Sequence, residues 1–266
     1  YVALEDIMKE KGVAQRNDLQ PEDIRLYLKK HFTDRKTNES PHGRYLGLLG
    51  HAEAVISDSY VRGNQFPITD DEQDFTIEFF IRKSMVIEHM SEHLLQIKDM
   101  ENSNSEYNFK LINRLGFFED KLKCLLDISV PVGDAGGGAG DFKVNEWNHM
   151  AVTYRHLTKT VRYFINGKAS PAKDGVPIKF KKGLTFQISG REWALPFIGM
   201  FDELRISNVV RYDQDFSVPN VPFALDENTL ALWHFDEDAD TFYDASNNRY
   251  ELLRGINVES KKTQGL

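Results

Sequence analysis

The spacing of apolar residues changes along the chain. They recur every three to four residues up to residue 32, and mostly every second residue from residue 45 onward. The first spacing is typical of a helix with one buried face, and the second of a strand with one face in a core. The sequence therefore predicts a short helical segment followed by a larger β region.

Two helices are predicted near the start of the chain. Leu4, Ile7 and Met8 share one face of the first helix, and Gly12 supplies a stop signal. Pro21 suits the first position of the second helix, which continues to about residue 32. We expect a helical hairpin that is too small to bury a core of its own.

Two regions follow from this change of period. Residues 1–40 are predicted to be the helical hairpin with its linker, and residues 41–266 a β-sandwich. Because the hairpin needs a surface to cover its apolar face, we expect residues 1–35 to dock on the sandwich, on a neighbouring domain or on an assembly partner.

Alternation of apolar and polar residues recurs in six segments of the β region. They are residues 75–82, 148–154, 160–165, 184–189, 200–206 and 230–236. Asn166 and Gly167 follow the third segment directly and suit a tight type I′ hairpin turn. Many short strands without a helical pattern between them predict a mainly β protein, an antiparallel jelly-roll β-sandwich.

Several of these segments also carry a family resemblance. They are DFTIEFFI at 74–81, EWNHMAVTY at 146–154, YFINGK at 163–168, GMFDELRIS at 199–207 and NTLALWHFDE at 228–237. In this order they resemble the laminin-G-like, pentraxin-like branch of the concanavalin-A-like lectin and glucanase superfamily. The resemblance implies a lectin-like jelly roll acting as a non-catalytic carbohydrate-binding or cell-adhesion module. The last segment is similar to versions in bacterial surface and phage-encoded proteins, which implies an extracellular, cell-surface or virion location.

The order of the last segments departs from that family. WHFD at 233–236 and DASNN at 244–248 are similar to the opening of such domains, yet here they come last. Either the C-terminal segment supplies the strand that usually begins the sandwich, or a second domain has been truncated. We favour the first interpretation, because closing a sheet edge removes a liability to aggregation.

Composition excludes some classes of partner. The net charge is -8, which provides no positive field for nucleic acid. No apolar run approaches the roughly 18 residues of a membrane span, so membrane insertion is not expected. The single cysteine, Cys124, excludes an internal disulfide and is expected to be a small buried apolar residue.

Three sequence patterns resemble those of enzymes, but each lacks a feature that the corresponding chemistry requires. Glu72 and Asp74 begin the alternating acids that glucanases of this fold use, but Thr76 breaks the pattern. HMSEH at 89–93 matches a zinc-protease pattern that requires a helix, whereas we expect a loop or a helical turn between strands. The glycine cluster at 133–141 has no phosphate-loop ending and is predicted to be a flexible interstrand loop. We therefore expect no enzyme.

A structural calcium ion is one expected cofactor. Alternation puts Asp202 on the face of Met200, Leu204 and Ile206, where a carboxylate needs a partner. Domains that the chain resembles hold calcium with an acid near this strand and an acid of the DASNN-type turn. The resemblance therefore implies Asp202, Asp244 and Asn247 as ligands, although Asn248 stands where the family has glycine. The alternative is that Asp202 accepts backbone hydrogen bonds and that Asp244 caps a turn.

A ligand site is predicted at Trp193 and Arg191. They lie in a connection between strands, where an indole beside a guanidinium can stack on a sugar ring and donate hydrogen bonds to its hydroxyls. Alternatively, Trp193 folds back as a lid on the sandwich or contacts the hairpin. The expected ligand is a glycan or a protein; the competing function is a structural module that mediates protein contacts in an assembly.

Overall fold

Two antiparallel sheets make up most of the computed structural model. The structure describes residues 4–14, 18, 23, 45–48, 60–83, 91–102, 105–118, 121–131, 133–189, 195–197, 199–237, 239–255 and 258–261. A helix, α1 (Leu4–Lys11), precedes the strands. The predicted mainly β sandwich is therefore confirmed, and of the predicted N-terminal helical hairpin the first helix is present.

The larger sheet has nine strands. They are β2 (Tyr60–Gly63), β4 (Ser91–Lys98), β5 (Phe109–Phe118), β6 (Lys121–Val130), β7 (Gly133–Asp141), β11 (Thr185–Ser189), β12 (Leu195–Pro196), β15 (Thr241–Tyr243) and β16 (Glu251–Arg254). Their spatial order is β15-β16-β2-β11-β4-β5-β6-β7, and β12 pairs with β4 in parallel. The other pairings in this sheet are antiparallel.

The smaller sheet has eight strands. They are β1 (Tyr45–Leu48), β3 (Phe75–Arg82), β8 (Trp147–Arg155), β9 (Thr160–Ile165), β10 (Lys168–Ala169), β13 (Gly199–Ser207), β14 (Thr229–Trp233) and β17 (Val258–Lys261). Their order is β10-β9-β8-β3-β13-β1-β17, and β14 also pairs with β13. Each of the six segments of alternation overlaps an observed strand.

The core fills the space between the two sheets. Phe75 and Phe79 of β3 face Phe109 and Phe186 of the opposite sheet, and all four are buried. Trp233 is fully buried and packs on Phe186, with 5.4 Å between ring centroids. Burying side chains of this size contributes most of the favourable free energy of folding, at roughly 1.5–3 kcal/mol each.

A buried ion pair joins the two sheets inside this core. Lys83, directly after β3, reaches Glu92 of β4, with its Nζ atom 2.6 and 2.7 Å from the carboxylate oxygens. Both side chains are nearly inaccessible to solvent. Cys124 lies nearby, and burial raises the pKa of its thiol, so its predicted role as a small apolar residue is confirmed.

The N-terminal helix ends where its stop signal predicts. Gly12 adopts φ 69°, and the amide of Val13 donates to the carbonyl of Met8. Ile7 is fully buried. The second predicted helix and the linker lie almost entirely outside the described residues. Within the described part of the chain, no helix is long and apolar enough to cross a membrane.

The hairpin turn between β9 and β10 is also confirmed. Asn166 and Gly167 have φ values of 52° and 74°, as a type I′ turn requires. A Cβ atom on Gly167 would lie 2.2 Å from the carbonyl oxygen of Phe216. Glycine is therefore required here for two reasons, its backbone conformation and the close approach of another segment.

The glycine cluster at 133–141 is not a flexible loop, and that prediction was wrong. It forms β7, which pairs with β6. Cβ atoms on Gly138 and Gly140 would lie 2.5 Å from Tyr163 and 2.7 Å from Ile165, both in β9 of the other sheet. The glycines let the two sheets approach closely at this side of the sandwich.

The C-terminal strands complete both sheets. β14 pairs with β13 and β17 with β1 in the eight-stranded sheet, whereas β16 joins β15 to β2 in the nine-stranded sheet. Of the two interpretations offered for WHFD and DASNN, the structure supports the one in which this segment belongs to the sandwich.

Candidate functional site

The outer face of the nine-stranded sheet presents mainly polar side chains. In β2, β11 and β16, the residues Val61, Phe186 and Leu252 point into the core, and the residues beside them point outward. Paired residues of antiparallel strands project from the same face. The register therefore decides which outward side chains are neighbours.

One cross-strand row passes through Arg62. Arg62 pairs with Leu253 of β16 on one side and with Gln187 of β11 on the other. Gln187 pairs with Gln96 of β4, which pairs with Lys110 of β5. With adjacent strands about 4.8 Å apart, the row sets a guanidinium, two amides and an ammonium group side by side.

A second row lies two residues further along the strands. It contains Thr185, which pairs with Lys98, and Glu251, which pairs with Tyr243 at the β15 edge. We name the accessible outward-facing residues from both rows the outer platform; it consists of Arg62, Lys98, Lys110, Thr185, Gln187, Tyr243, Glu251 and Leu253.

Internal hydrogen bonds engage only part of the polar groups of the outer platform. Gln187 Nε2 donates to the carbonyl of Ser189 at 3.2 Å, and Arg62 Nη2 donates to the thioether Sδ of Met100 at 3.5 Å. Among the described residues, Gln187 Oε1 and the other N–H groups of Arg62 have no protein partner. These groups are available to hydrogen-bond a ligand.

Apolar surface borders the same row. The side chains of Leu253, Met100 and Tyr243 are 41%, 57% and 40% exposed, and the guanidinium of Arg249 lies 5.3 Å from the Tyr243 ring centroid. Apolar and aromatic surface beside a few placed polar groups is the usual composition of a small-molecule site. Such a surface can contact the C–H face of a sugar ring while the polar groups bind its hydroxyls.

The middle of this face is not accessible. Gln96 and His93 are fully buried, and Gln96 Nε2 lies 2.5 Å from His93 Nδ1. A ligand therefore reaches the sheet on the side of β16, β2 and β11. The two alternating sequences YVRG and TFQIS carry the only signal that could have revealed this face, because their outward positions are polar.

The outer face of the eight-stranded sheet is closed by a segment that we name the strap, residues 208–226. Tyr212 OH donates to Glu78 Oε2 at 2.9 Å, and the amide of Phe216 donates to the carbonyl of Gly167 at 2.9 Å. The aromatic rings of Tyr212 and Phe216 stack at 3.6 Å between centroids. These contacts make the strap part of the packed structure.

Glu78 is the centre of the charge network beneath the strap. Its carboxylate accepts hydrogen bonds from Arg205 Nε at 2.8 Å and from Tyr212, and His149 Nε2 lies 3.1 Å away. Burial acts to raise the pKa of Glu78, but the contacts with His149 and Arg205 outweigh it and lower the pKa. Burial and the adjacent Glu78 charge raise the pKa of Tyr212. The Glu78 carboxylate is paired internally, which is typical of a structural role, whereas His149 Nδ1 is buried with no hydrogen-bond partner among the described residues.

A second buried carboxylate anchors the other end of the strap. Glu203 Oε2 accepts the amide of Phe223 at 2.7 Å, and its Oε1 lies 2.6 Å from His234 Nδ1. The hydrogen bond to Glu203 raises the pKa of His234 against the opposing effect of burial. Arg211 forms a bidentate pair with Asp226 at 2.7 Å, which holds the pKa of Asp226 well below its usual range.

The face assigned to Asp202 by alternation was wrong. The register of β13 against β3 shifts between Asp202 and Arg205, and Glu203 adopts φ 53°. This bulge breaks the alternation, so Phe201 and Leu204 both face the core, whereas Asp202 pairs with Phe80 outside the main core.

The predicted calcium ligands have identifiable protein contacts. Asp202 Oδ1 accepts the amide of Glu203 at 3.0 Å. The two oxygens of Asp244 accept the amides of Ser246 and Tyr250, which is the geometry of a turn cap, and Asn247 is exposed. In the described part of the chain, no group of three His, Cys, Asp or Glu side chains is arranged to hold a metal. The calcium site stays a prediction.

The predicted ligand residues Trp193 and Arg191 lie outside the described residues. The zinc-protease pattern is described only in part: His93 is in β4, a strand rather than the helix that the pattern needs or the loop that we expected. Asp74, from the incomplete glucanase pattern, accepts the backbone amide of His156 at 2.8 Å.

Comparison with known proteins identifies a family. Residues 56–217 match a family model of the concanavalin A-like lectin/glucanases superfamily, more than half of the chain. A search of curated protein sequences finds no match.

Two solved structures with similar folds are distant in sequence. A proposed carbohydrate-binding protein from Bacteroides ovatus is 16% identical with a TM-score of 0.56; the alignment covers 84% of this chain and 60% of that protein, less than two thirds. A heptameric SAP-like pentraxin from Limulus polyphemus is 10% identical with a TM-score of 0.52, covering 66% of this chain and 80% of that one. At these identities the likeness concerns the fold alone.

Proposed function

Because this chain belongs to the concanavalin A-like lectin/glucanases superfamily, we propose that it is a non-catalytic carbohydrate-binding module with its glycan site on the outer platform. Fold alone does not establish a function, so the proposal depends on the site. It also places the module in a surface, secreted or virion protein, where binding a glycan serves attachment or adhesion.

One observation carries the proposal. Arg62 and Gln187 stand side by side on neighbouring strands with unused hydrogen-bonding groups, and exposed Leu253 borders them. A glycan needs several convergent polar groups and an apolar contact for a ring face, and both occur here on one rigid surface. Side chains fixed on strands lose little conformational freedom on binding, which favours affinity.

The spacing of two outward acids on this face favours binding over hydrolysis. Glycoside hydrolysis commonly uses two carboxyl groups roughly 5–9.5 Å apart across the scissile bond. The outward acids Glu251 of β16 and Asp127 of β6 have four strands between them, roughly 24 Å at the usual strand spacing. This pair is too far apart to act on one bond.

A glycan panel followed by matched variants tests the proposal. Labelled full-length chain is first screened against a broad panel of neutral and acidic glycans, and the affinity for the best ligand is measured by calorimetry. We expect Gln187→Ala and Tyr243→Ala each to weaken binding at least about tenfold, since each removes a direct contact. Thr160→Ala, on β9 of the opposite sheet, serves as the control and should leave the affinity unchanged.

Two outcomes would overturn the proposal. One is that no glycan binds to correctly folded protein. The other is that a glycan binds equally well to the wild type and to both platform variants, which would move the site elsewhere.

The second candidate function is a structural module in an assembly. It is favoured by Val221 and Leu225, two large apolar side chains of the strap that are 58% and 47% exposed. Apolar surface of this kind often marks a protein contact. If the strap mediates assembly, Val221→Ser/Leu225→Ser should abolish complex formation with the partner protein without changing the thermal midpoint of the isolated chain.

A further inference from the structure

We infer that the ligand of the outer platform carries a carboxylate, and that Arg62 is the residue that binds it. This inference rests on the proposed glycan-binding function and narrows it to acidic saccharides. It depends on the position, the partners and the surroundings of one arginine.

Arg62 differs from Arg205 and Arg211 of the opposite face in its partners. Arg205 has Glu78 at 2.7 Å and Arg211 has Asp226 at 2.7 Å. Among the described residues, the only hydrogen-bond acceptor within reach of Arg62 is the sulfur of Met100 at 3.5 Å, and a thioether is a weak acceptor. An arginine stays charged at any physiological pH, so Arg62 presents an uncompensated guanidinium.

The location of Arg62 suits ligand capture. It is partly buried in the middle strand of the accessible side, between Leu253 of β16 and Gln187 of β11. Its guanidinium lies against the thioether of Met100, and the residues paired with it on both sides flank its side chain. A guanidinium in a fixed orientation matches a carboxylate with two parallel hydrogen bonds, which an ammonium group cannot do.

The surrounding charges favour an anion. The outer platform carries Lys98 of β4 and Lys110 of β5 besides Arg62, against one acid, Glu251 of β16, although the chain as a whole carries a net charge of -8. The excess of positive groups on this face would attract an acidic ligand.

The neutral groups around Arg62 suit the rest of a sugar ring. Gln187 Oε1 is one strand away and can accept a hydrogen bond from a hydroxyl adjacent to the carboxylate. Leu253 and Met100, both substantially exposed, can contact the C–H face of the ring. A carboxylate, a hydroxyl and an apolar ring face occur together in acidic monosaccharides such as uronic and sialic acids. The shared chemistry is the carboxylate.

A matched pair of ligands isolates the role of this charge. Oligogalacturonate and sialyllactose are each titrated as the free acid and as the carboxyl methyl ester, which has nearly the same shape without the charge. We expect the wild type to bind at least one acid at least tenfold more tightly than its ester. Raising the salt concentration should weaken binding of the acid only.

Variants then connect this preference to Arg62. Arg62→Gln should bind the acid and the ester with equal affinity, and Arg62→Lys should recover only part of the preference, because it lacks the bidentate geometry. Arg155→Gln, which alters an exposed arginine on the opposite sheet, should retain the wild-type preference. The thermal midpoint of each variant is measured to verify folding.

Failure of this inference is distinguishable from failure of the proposed function. If neutral glycans bind to the outer platform and Arg62→Gln has no effect, the carboxylate inference is overturned while glycan binding stands. A preference for the acid that persists in Arg62→Gln likewise overturns it. If no saccharide binds at all, both proposals are overturned.

Discussion

The outer faces of the two sheets differ in whether their charged groups are paired and buried. Beneath the strap, Glu78 contacts His149, Arg205 and Tyr212, and its environment is closed to solvent. On the outer platform, Arg62 has a thioether as its only acceptor among the described residues.

This difference distinguishes charged groups that stabilise the fold from charged groups that are available to bind a ligand. A buried charge is costly unless it is paired, so a closed and paired network is explained by the fold itself. A charge that is held in place but left without a counter-charge is not explained by stability, which is why we assign it to a ligand. The predictions below test this distinction, beginning with the largest expected effect.

Replacing Arg205 and Arg62 in turn with methionine tests directly which of the two arginines stabilises the fold. Arg205→Met leaves Glu78 buried without one of its charged partners, and we expect it to lower the free energy of unfolding by about 3 kcal/mol. Arg62→Met removes no ion pair among the described residues and should change it by less than about 0.5 kcal/mol. Denaturant unfolding monitored by tryptophan fluorescence measures both. Equal losses would mean that Arg62 is as structural as Arg205.

Substitution of Gly167 in the hairpin turn between β9 and β10 tests how closely the strap packs against that turn. Gly167→Ala places a methyl group against the Phe216 carbonyl in addition to its cost at positive φ, and we expect a loss of about 2–3 kcal/mol. Gly175 has a similar φ of 76°, but a Cβ atom there meets no atom within 4 Å. Gly175→Ala should therefore cost only about 1 kcal/mol. If thermal unfolding gave equal costs, the strap would not be seated tightly on the turn.

The turn that joins two strands of the platform is held by Asp244. The carboxylate of Asp244 accepts hydrogen bonds from two backbone N–H groups, and Asp244→Asn places an NH2 group against one of them. We expect the free energy of unfolding to fall by about 1–2 kcal/mol. Asn247→Ala, at an exposed position of the same turn, is the control and should have almost no effect. Thermal unfolding is compared in EDTA and in calcium. A loss that appears in both variants only with calcium would favour the predicted calcium site instead of a cap.

The smallest effect concerns His234. The hydrogen bond to Glu203 raises the pKa of this imidazole in the folded chain. Its protonation therefore stabilises the fold fully below the unfolded value of about 6.5, and this contribution disappears as the pH rises through the raised folded value. His234→Gln should lower the free energy of unfolding by up to about 1 kcal/mol near pH 5 and by less near pH 9. A difference that does not depend on pH would assign the pair a neutral hydrogen bond only.

Local patterns were sufficient for much of the fold. The strands with regular alternation, such as residues 75–82, were predicted within one or two residues, because one of their faces is in the core. The turn at Asn166 and Gly167 could also be predicted from local sequence, because few residues tolerate its backbone conformation.

The errors occur where a distant segment decides the local structure. Nothing within residues 133–141 reveals that they pair with β6 and approach β9, so glycine suggested a loop. The bulge at Glu203 likewise depends on the two neighbouring strands and on the partly buried pair with His234.

The candidate site could not be predicted for the same reason. Arg62 and Gln187 are 125 residues apart in sequence and become neighbours only through the pairing of β2 with β11. Each is unremarkable in its own segment, whereas the sequence drew attention to Trp193 as a rare aromatic residue in a connection. A site made from the outward residues of several strands is defined by register, which short-range patterns do not contain.

The pairing of β1 with β17 has a mechanical consequence. Tyr45, at the start of β1, is the direct partner of Lys261, at the end of β17. Tension applied at these two points would act perpendicular to the strands, along the hydrogen bonds. The four residue pairs would therefore separate one after another, starting from Tyr45 and Lys261. Pulling the same strands in shear would load all four pairs at once. The module should therefore yield at this seam under low force, releasing β17 while the strap and the platform keep their structure.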